Sequence, residues 1–81
     1  MSWNYRIVKK CGIYQIYEVY YDKKGRPEAV SADPIALMGE TREQLSGDML
    51  LQSMAFHKDV LDYNKLLKEI RSNAREERKT K

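Results

Sequence analysis

The stretch Trp3–Tyr21, WNYRIVKKCGIYQIYEVYY, decides the fold. Its two halves, Trp3–Lys10 and Ile13–Tyr21, are rich in β-branched and aromatic residues, which is typical of β-strands. Cys11-Gly12 lies between them as a two-residue loop, and glycine readily adopts the positive φ that such a hairpin turn requires. The segment therefore predicts a β-hairpin. Its register pairs Lys10 with Ile13, Ile7 with Ile16, Tyr5 with Glu18, and Trp3 with Tyr20.

A third strand is predicted to follow the hairpin. The turn Asp22–Gly25 has Asp at its start and Gly at its left-handed end, as turn chemistry favours. Arg26–Ala32 then returns beside the second strand, with Pro27 at the strand start because proline has no N–H for the ladder.

The predicted register sorts the strand residues into two faces of the sheet. The aromatic face carries one charge, Glu18, and is the predicted core; it consists of Trp3, Tyr5, Ile7, Tyr14, Ile16, Tyr20 and Ala29. The mixed face combines apolar and charged side chains and has no evident cover within the chain. We therefore expect a protein partner, or the second helix of the chain, to cover it. The partner-binding residues predicted on it are Arg6, Tyr17, Val19, Tyr21 and Val30.

Two helices are predicted after the strand-breaking Asp33-Pro34. Thr41-Arg42-Glu43-Gln44 has the form of a capping box, and it predicts a helix from about Arg42 to His57. The residues at helical spacing along this helix are Leu45, Met49, Gln52 and Phe56. This first helix is expected to lie across the aromatic face, although Gly47 weakens it. A second helix begins after Asp62, which can cap it. Its apolar stripe is Leu66, Leu67 and Ile70, and residues 71–81 are expected to fray or lie in solvent.

The predicted fold class is α+β in the order βββαα. It consists of a three-stranded antiparallel meander with an amphipathic helix packed on one face and a second helix at the C-terminus. Residues 1–62 form the predicted core domain. Residues 63–81 form a charged helix with a frayed basic tail.

Composition limits the classes of function. The chain has 81 residues, of which 42% are hydrophobic, and this is typical of one small globular domain. It has no apolar run of the ~18 residues that a membrane span requires, no secretory signal and a single cysteine, Cys11. These features predict a cytoplasmic protein with no membrane association. His57 is the only histidine, so we expect no catalytic residues, no metal site and no cofactor.

The net charge of +3 comes from the C-terminal part of the chain. Residues 58–81 carry eight basic and five acidic side chains, whereas residues 1–57 are balanced at seven each. An alternative hypothesis is therefore nucleic-acid binding, in which tyrosines of the mixed face stack on bases. The basic residues of this alternative are Arg71, Arg75, Arg78 and Lys79. If the second helix does not cover its own sheet, its apolar stripe would instead form a homodimer.

Three segments carry a resemblance to known proteins: the opening WNYR, Tyr17–Pro27 (YEVYYDKKGRP) and Gly39–Leu45 (GETREQL). They resemble a group of small, largely uncharacterised bacterial proteins over residues 3–62. Three strands followed by a helix that starts at Gly39-Glu40-Thr41 are also similar to the N-terminal half of HicB-type antitoxins. That second resemblance implies a partial RNase H-like fold and binding to a small RNase toxin. The first resemblance implies a fold rather than a function, and only the second implies a protein-interaction module.

Overall fold

Two long strands, β1 (Ser2–Lys10) and β2 (Ile13–Tyr21), form the centre of the sheet. The structure is a computed structural model that describes residues 2–79 and the side chains of residues 2–76. The predicted hairpin register is confirmed from Lys10 opposite Ile13 through Trp3 opposite Tyr20. Both turn residues have positive φ, 53° at Cys11 and 77° at Gly12, which the two-residue turn requires.

The third strand, β3 (Pro27–Val30), pairs antiparallel with β2 and is shorter than predicted. The turn before it is held by one carboxylate. Asp22 Oδ1 accepts hydrogen bonds from the backbone N–H groups of Lys24 and Arg26, each at 2.9 Å. Gly25 has a φ of 78°, as the turn chemistry predicts.

A fourth strand, β4 (Leu61–Asp62), corrects the prediction of a three-stranded antiparallel meander. It pairs parallel with β1 at Val8 and Lys9, so the sheet is mixed and has the strand order β3-β2-β1-β4. Two residues are too few to show a strand period in the sequence. The α+β class is confirmed.

The first helix, α1 (Arg42–Ser53), runs into a 3₁₀ segment, Met54–His57, so its predicted limits are confirmed. Thr41 Oγ1 accepts a hydrogen bond from the Gln44 N–H at 3.1 Å, as in a capping box. The reciprocal bond differs from the expected one, because the Gln44 side chain accepts from the N–H of Glu40 at 2.9 Å.

The second helix, α2 (Tyr63–Lys79), is longer than predicted. Asp62 caps it as expected, with its Oδ2 accepting from the Lys65 N–H at 3.1 Å. Of the two alternatives predicted for residues 71–81, fraying or lying in solvent, the chain is helical up to Lys79 and, between residues 71 and 76, all side chains except Asn73 are exposed. Residues 80 and 81 lie outside the described part. Polar contacts hold the distal half of α2, since Asn73 Nδ2 donates to the Pro27 carbonyl at 2.9 Å and Glu76 pairs with Arg26.

The hydrophobic core lies on the mixed face, so the prediction that the aromatic face forms the core is wrong. Leu66 of α2 packs with Val8, Tyr17 and Val19, and all four are buried. On the aromatic face only Ile7 is buried. The charged residues of the mixed face lie at its rim. Arg6 donates to the Tyr21 hydroxyl, and Lys10 Nζ lies 4.3 Å from the centre of the Tyr63 ring.

The cover of the mixed face by α2 can be tested with Leu66→Ala. We expect this truncation to lower the free energy of unfolding by about 2–5 kcal/mol, because it leaves a cavity against the sheet. The measurement is urea unfolding followed by circular dichroism. The control is Lys68→Ala, at an exposed position on the same helix. If both substitutions lower the free energy of unfolding by the same small amount, α2 does not cover the mixed face.

Acid titration can test the turn that Asp22 organises. Hydrogen bonds from the backbone N–H groups of Arg26 and Lys24 lower the pKa of the Asp22 carboxyl. The carboxylate therefore stabilises the fold above its unfolded pKa of about 4, and this contribution is lost as pH falls through the lowered folded value.

We therefore expect Asp22→Asn to lower the melting temperature most near neutral pH, with the deficit shrinking toward pH 2. Thermal unfolding across this pH range measures it. The control is Asp33→Asn, which removes an exposed carboxylate outside the turn. A deficit that is the same at every pH would refute the role of Asp22.

Candidate functional site

The mixed face is not available to a partner, because α2 of the same chain covers it. Tyr17 is 2% exposed and Val19 is fully buried. Tyr21 and Val30 pack against the same cluster, and Arg6 is half-buried. The prediction of a partner site on these five residues rests on an apolar stripe that no part of the chain covers. That premise is therefore wrong.

Helix α1 has the reverse of the usual amphipathic arrangement. Asp48 and Gln52 are four residues apart and Ala55 follows three later, so they lie on one side of the helix. That side faces the protein: Gln52 is 2% exposed, Ala55 is fully buried and Asp48 is half-buried. The helix is therefore anchored mainly by polar side chains.

The opposite side of α1 is apolar and faces solvent. We call Gly47, Leu50 and Met54 the outward stripe, since their spacing places them together, about half a turn from Gln52. Leu50 is 63% exposed and Met54 is 61% exposed. A surface helix normally buries its apolar stripe, so this stripe lacks the cover it requires.

An extended segment, Ala36–Gly39, runs beside α1 and is hydrogen-bonded to its inner side. Asp48 Oδ2 accepts from the Met38 N–H at 2.9 Å and from Gln52 Nε2 at 3.1 Å. The same Gln52 nitrogen donates to the Ala36 carbonyl at 3.4 Å. At Gly39 the segment approaches so closely that a Cβ would lie 2.4 Å from the Leu45 nitrogen, which explains the glycine there.

The segment and the helix together expose a large apolar area, which we call the α1 surface. Its eight side chains are Leu37, Met38, Leu45, Met49, Leu50, Leu51, Met54 and Phe56. Each of them is 42–74% exposed, whereas large apolar patches are uncommon on monomeric proteins. The radius of gyration is 14.3 Å, against about 12 Å for a compact domain of this length. The chain therefore exposes more apolar surface than a small domain normally does.

An aromatic cluster on the sheet lies close to α1. The ring of Trp3, which is 50% exposed, meets Tyr5 edge-on at 5.1 Å and Tyr20 at 6.4 Å. Burial, together with the nearby charges of Asp48 and Glu18, raises the pKa of Tyr5. A hydrogen bond of 3.1 Å from the Tyr20 hydroxyl to Glu18 raises the pKa of Tyr20. Glu18 is thus partnered, and the cluster adds an aromatic, amphipathic margin to the site.

No other part of the described chain groups side chains for chemistry. Within the described residues, no three His, Cys, Asp or Glu side chains are placed to hold a metal ion. His57 is exposed at the end of the 3₁₀ segment, and Cys11 is exposed in the hairpin turn. Neither described helix is long and apolar enough to cross a membrane.

The residues of the nucleic-acid alternative are not brought together as expected. Tyr17 is buried in the core, and the Tyr21 hydroxyl is occupied by a 2.7 Å hydrogen bond to Asn4 and by Arg6. Base stacking on the mixed face is therefore wrong. Arg71 and Arg75 are exposed on α2, so phosphate binding there stays a prediction. The side chains of Arg78 and Lys79 lie outside the described part.

No protein-family model, curated protein or solved structure matches this chain. The resemblances to small bacterial proteins and to HicB-type antitoxins therefore stay predictions. The sequence does not reveal the α1 surface, because positions 45, 49, 52 and 56 fall at helical spacing and predict one buried stripe. The signal that could have found it is a second apolar pair, Leu50 and Met54, which falls outside that stripe.

The polar anchor of α1 predicts how the extended segment responds to mutation. Asp48→Ala removes the acceptor of the Met38 N–H, a hydrogen bond worth about 1 kcal/mol. We therefore expect roughly fivefold faster hydrogen exchange at the Met38 amide. Exchange measured by NMR tests this, with Ser46→Ala as the exposed control on the same helix. Unchanged protection of Met38 in Asp48→Ala would refute the anchor.

Proposed function

We propose that this chain is a non-catalytic protein-interaction module that binds its partner through the α1 surface. The observation that carries the proposal is the inverted helix α1, with Gln52 and Ala55 inside and Leu50 and Met54 outside. A surface helix normally buries its apolar side, so an apolar side that faces solvent favours a partner that covers it.

The energetic balance favours association. Burying one Leu, Met or Phe side chain completely contributes about 1.5–3 kcal/mol. The loss of translational and rotational freedom on binding costs an estimated 4–15 kcal/mol. A specific complex therefore requires several of the exposed side chains of the α1 surface to be buried together.

The composition of the surface indicates the chemistry of the partner. Met38, Met49 and Met54 contribute flexible, polarisable side chains that adapt to an apolar counterpart. The partner must therefore present an apolar face of its own, bordered by polar groups. The resemblance to HicB-type antitoxins names one such class of partner, a small RNase toxin.

Site-specific photocrosslinking in the native cell tests the proposal. A photoreactive phenylalanine analogue replaces Leu50 on the α1 surface or, as the matched control, Lys68 on the exposed side of α2. We expect discrete protein adducts from position 50, because a partner covers it, and none of comparable yield from position 68.

A second variant guards against a local effect of the analogue. Placed at Met54, on the same outward stripe, it should give adducts of the same mass as at position 50. The absence of adducts from both positions, in cells that contain the folded chain, would overturn the proposed function.

A further inference from the structure

We infer that the aromatic cluster of Trp3, Tyr5 and Tyr20 is a binding site for a small organic cation that carries a trimethylammonium group. This inference concerns the sheet rather than the α1 surface and is independent of the proposed function. Two observations carry it together. The rings form a corner on one face of the sheet, and carboxylates act on that corner without a cationic partner among the described residues.

The hairpin register brings three rings and one carboxylate onto the same face of the sheet. Trp3 lies directly opposite Tyr20, and Tyr5 lies directly opposite Glu18. The two residues on each strand are two positions apart, so all four side chains project to one side. Because the strands are hydrogen-bonded, the backbone fixes the relative positions of the four.

The rings face in different directions around Trp3. The Tyr5 ring is perpendicular to the indole, at an interplanar angle of 89° and a centroid distance of 5.1 Å, and the Tyr20 ring is tilted by 41° at 6.4 Å. Two perpendicular rings in edge contact form a concave corner, in which one ligand can touch the faces of both. The face of an aromatic ring is electron-rich and attracts a cation. Trp3 is 50% exposed, so a ligand can reach it from solvent.

Two half-buried carboxylates, Glu18 and Asp48, add negative charge at the cluster. Glu18 accepts the 3.1 Å hydrogen bond from the Tyr20 hydroxyl. Burial raises the pKa of Tyr5 and the charges of Asp48 and Glu18 raise it further, so both carboxylates act on this ring. Neither has an ion-pair partner among the described Lys and Arg side chains. A bound cation would compensate this partly buried negative charge.

Elsewhere the chain places its own lysines over tyrosine rings. Lys9 Nζ lies 5.5 Å from the centre of the Tyr14 ring, and Lys10 Nζ lies 4.3 Å from that of Tyr63. Among the described side chains, no lysine or arginine lies over Trp3, although tryptophan attracts cations more strongly than tyrosine. The cluster with the strongest attraction for a cation therefore receives none from the described chain.

The polar atoms at the cluster favour a cation without N–H groups. A primary ammonium is strongly hydrated and has three N–H donors that need acceptors in place of water. Ring faces are poor acceptors, and Glu18 Oε2 and Asp48 Oδ2 already accept hydrogen bonds from the chain. The positive charge of a trimethylammonium group is spread over methyl groups, which pack against ring faces while the carboxylates attract the charge.

Fluorescence of Trp3, the single tryptophan of the chain, tests the inference at the site itself. The purified full chain is titrated with choline, which carries the trimethylammonium group, at constant ionic strength. The matched ligand is the neutral analogue of choline in which a tert-butyl group replaces the trimethylammonium. We expect saturable binding of choline and about fivefold or more weaker binding of the analogue, because only choline is charged. Equal affinity for the two, or no saturable response to choline, overturns the inference.

Two substitutions separate the charge and the ring from a general effect on the fold. Glu18→Gln keeps the length of the side chain and removes its charge, and Tyr5→Leu removes the perpendicular ring. We expect each to weaken choline binding about threefold or more. The control Glu28→Gln removes the same charge from an exposed position on β3 and should leave the affinity unchanged. An affinity that neither Glu18→Gln nor Tyr5→Leu alters, in variants shown by circular dichroism to be folded, contradicts the site.

Co-sedimentation with phosphatidylcholine vesicles distinguishes a free cation from a lipid headgroup that carries the same group. In a lipid, a phosphate adjoins the trimethylammonium, and the carboxylates of Glu18 and Asp48 would repel it. We therefore expect the chain to stay in the supernatant. Co-sedimentation that Tyr5→Leu abolishes would overturn the free cation as the ligand.

Discussion

The packing of α2 on the mixed face of the sheet is the contact on which the rest of the structure depends. Leu66 closes a core of Val8, Tyr17 and Val19, and Ile70, Tyr63 and Leu61 surround it. This contact also places the chain before α2 beside β1, where two residues become a parallel edge strand. Helix α2 covers the more apolar face of the sheet, and α1 therefore packs through polar side chains. The apolar side chains of α1 remain exposed because α2, not α1, completes the core.

Much of the fold follows from local chemistry and was predictable. The two-residue turn at Cys11-Gly12 fixes the hairpin register, and Thr41 and Asp62 fix both helix starts by accepting backbone N–H bonds. The buried face was not predictable by counting charges. Arg6 and Lys10 lie on the buried side, where Arg6 donates to the Tyr21 hydroxyl and to the Asp59 carbonyl and Lys10 lies over the Tyr63 ring. Which face of the sheet is buried is decided by tertiary packing, because it depends on the face against which α2 docks.

The candidate site was hidden for a related reason. A periodic pattern of Leu45, Met49 and Phe56 predicts a buried stripe when the helix is assumed to pack with its apolar side inward. In α1 the side that packs is defined by Asp48 and Gln52, whose hydrogen bonds hold the segment that runs beside it. Sequence periodicity shows which side chains share one side of a helix, but it does not show which side of the helix faces the sheet. The glycine at position 47 is unfavourable in a helix, and no contact within the described chain requires it.

The strand order has a consequence for the route by which the chain folds. The pairs of the β1–β2 hairpin are close in sequence, so their loop-closure entropy is small and the hairpin can form early. The β1–β4 pairing joins Val8 to Leu61 and must wait until the intervening chain, including α1, has been gathered in. Until α2 docks, its apolar residues are exposed in addition to the α1 surface, which stays exposed in the folded chain. A nascent chain is thus most vulnerable to aggregation before its last helix docks, and chaperone contact at that stage would protect it.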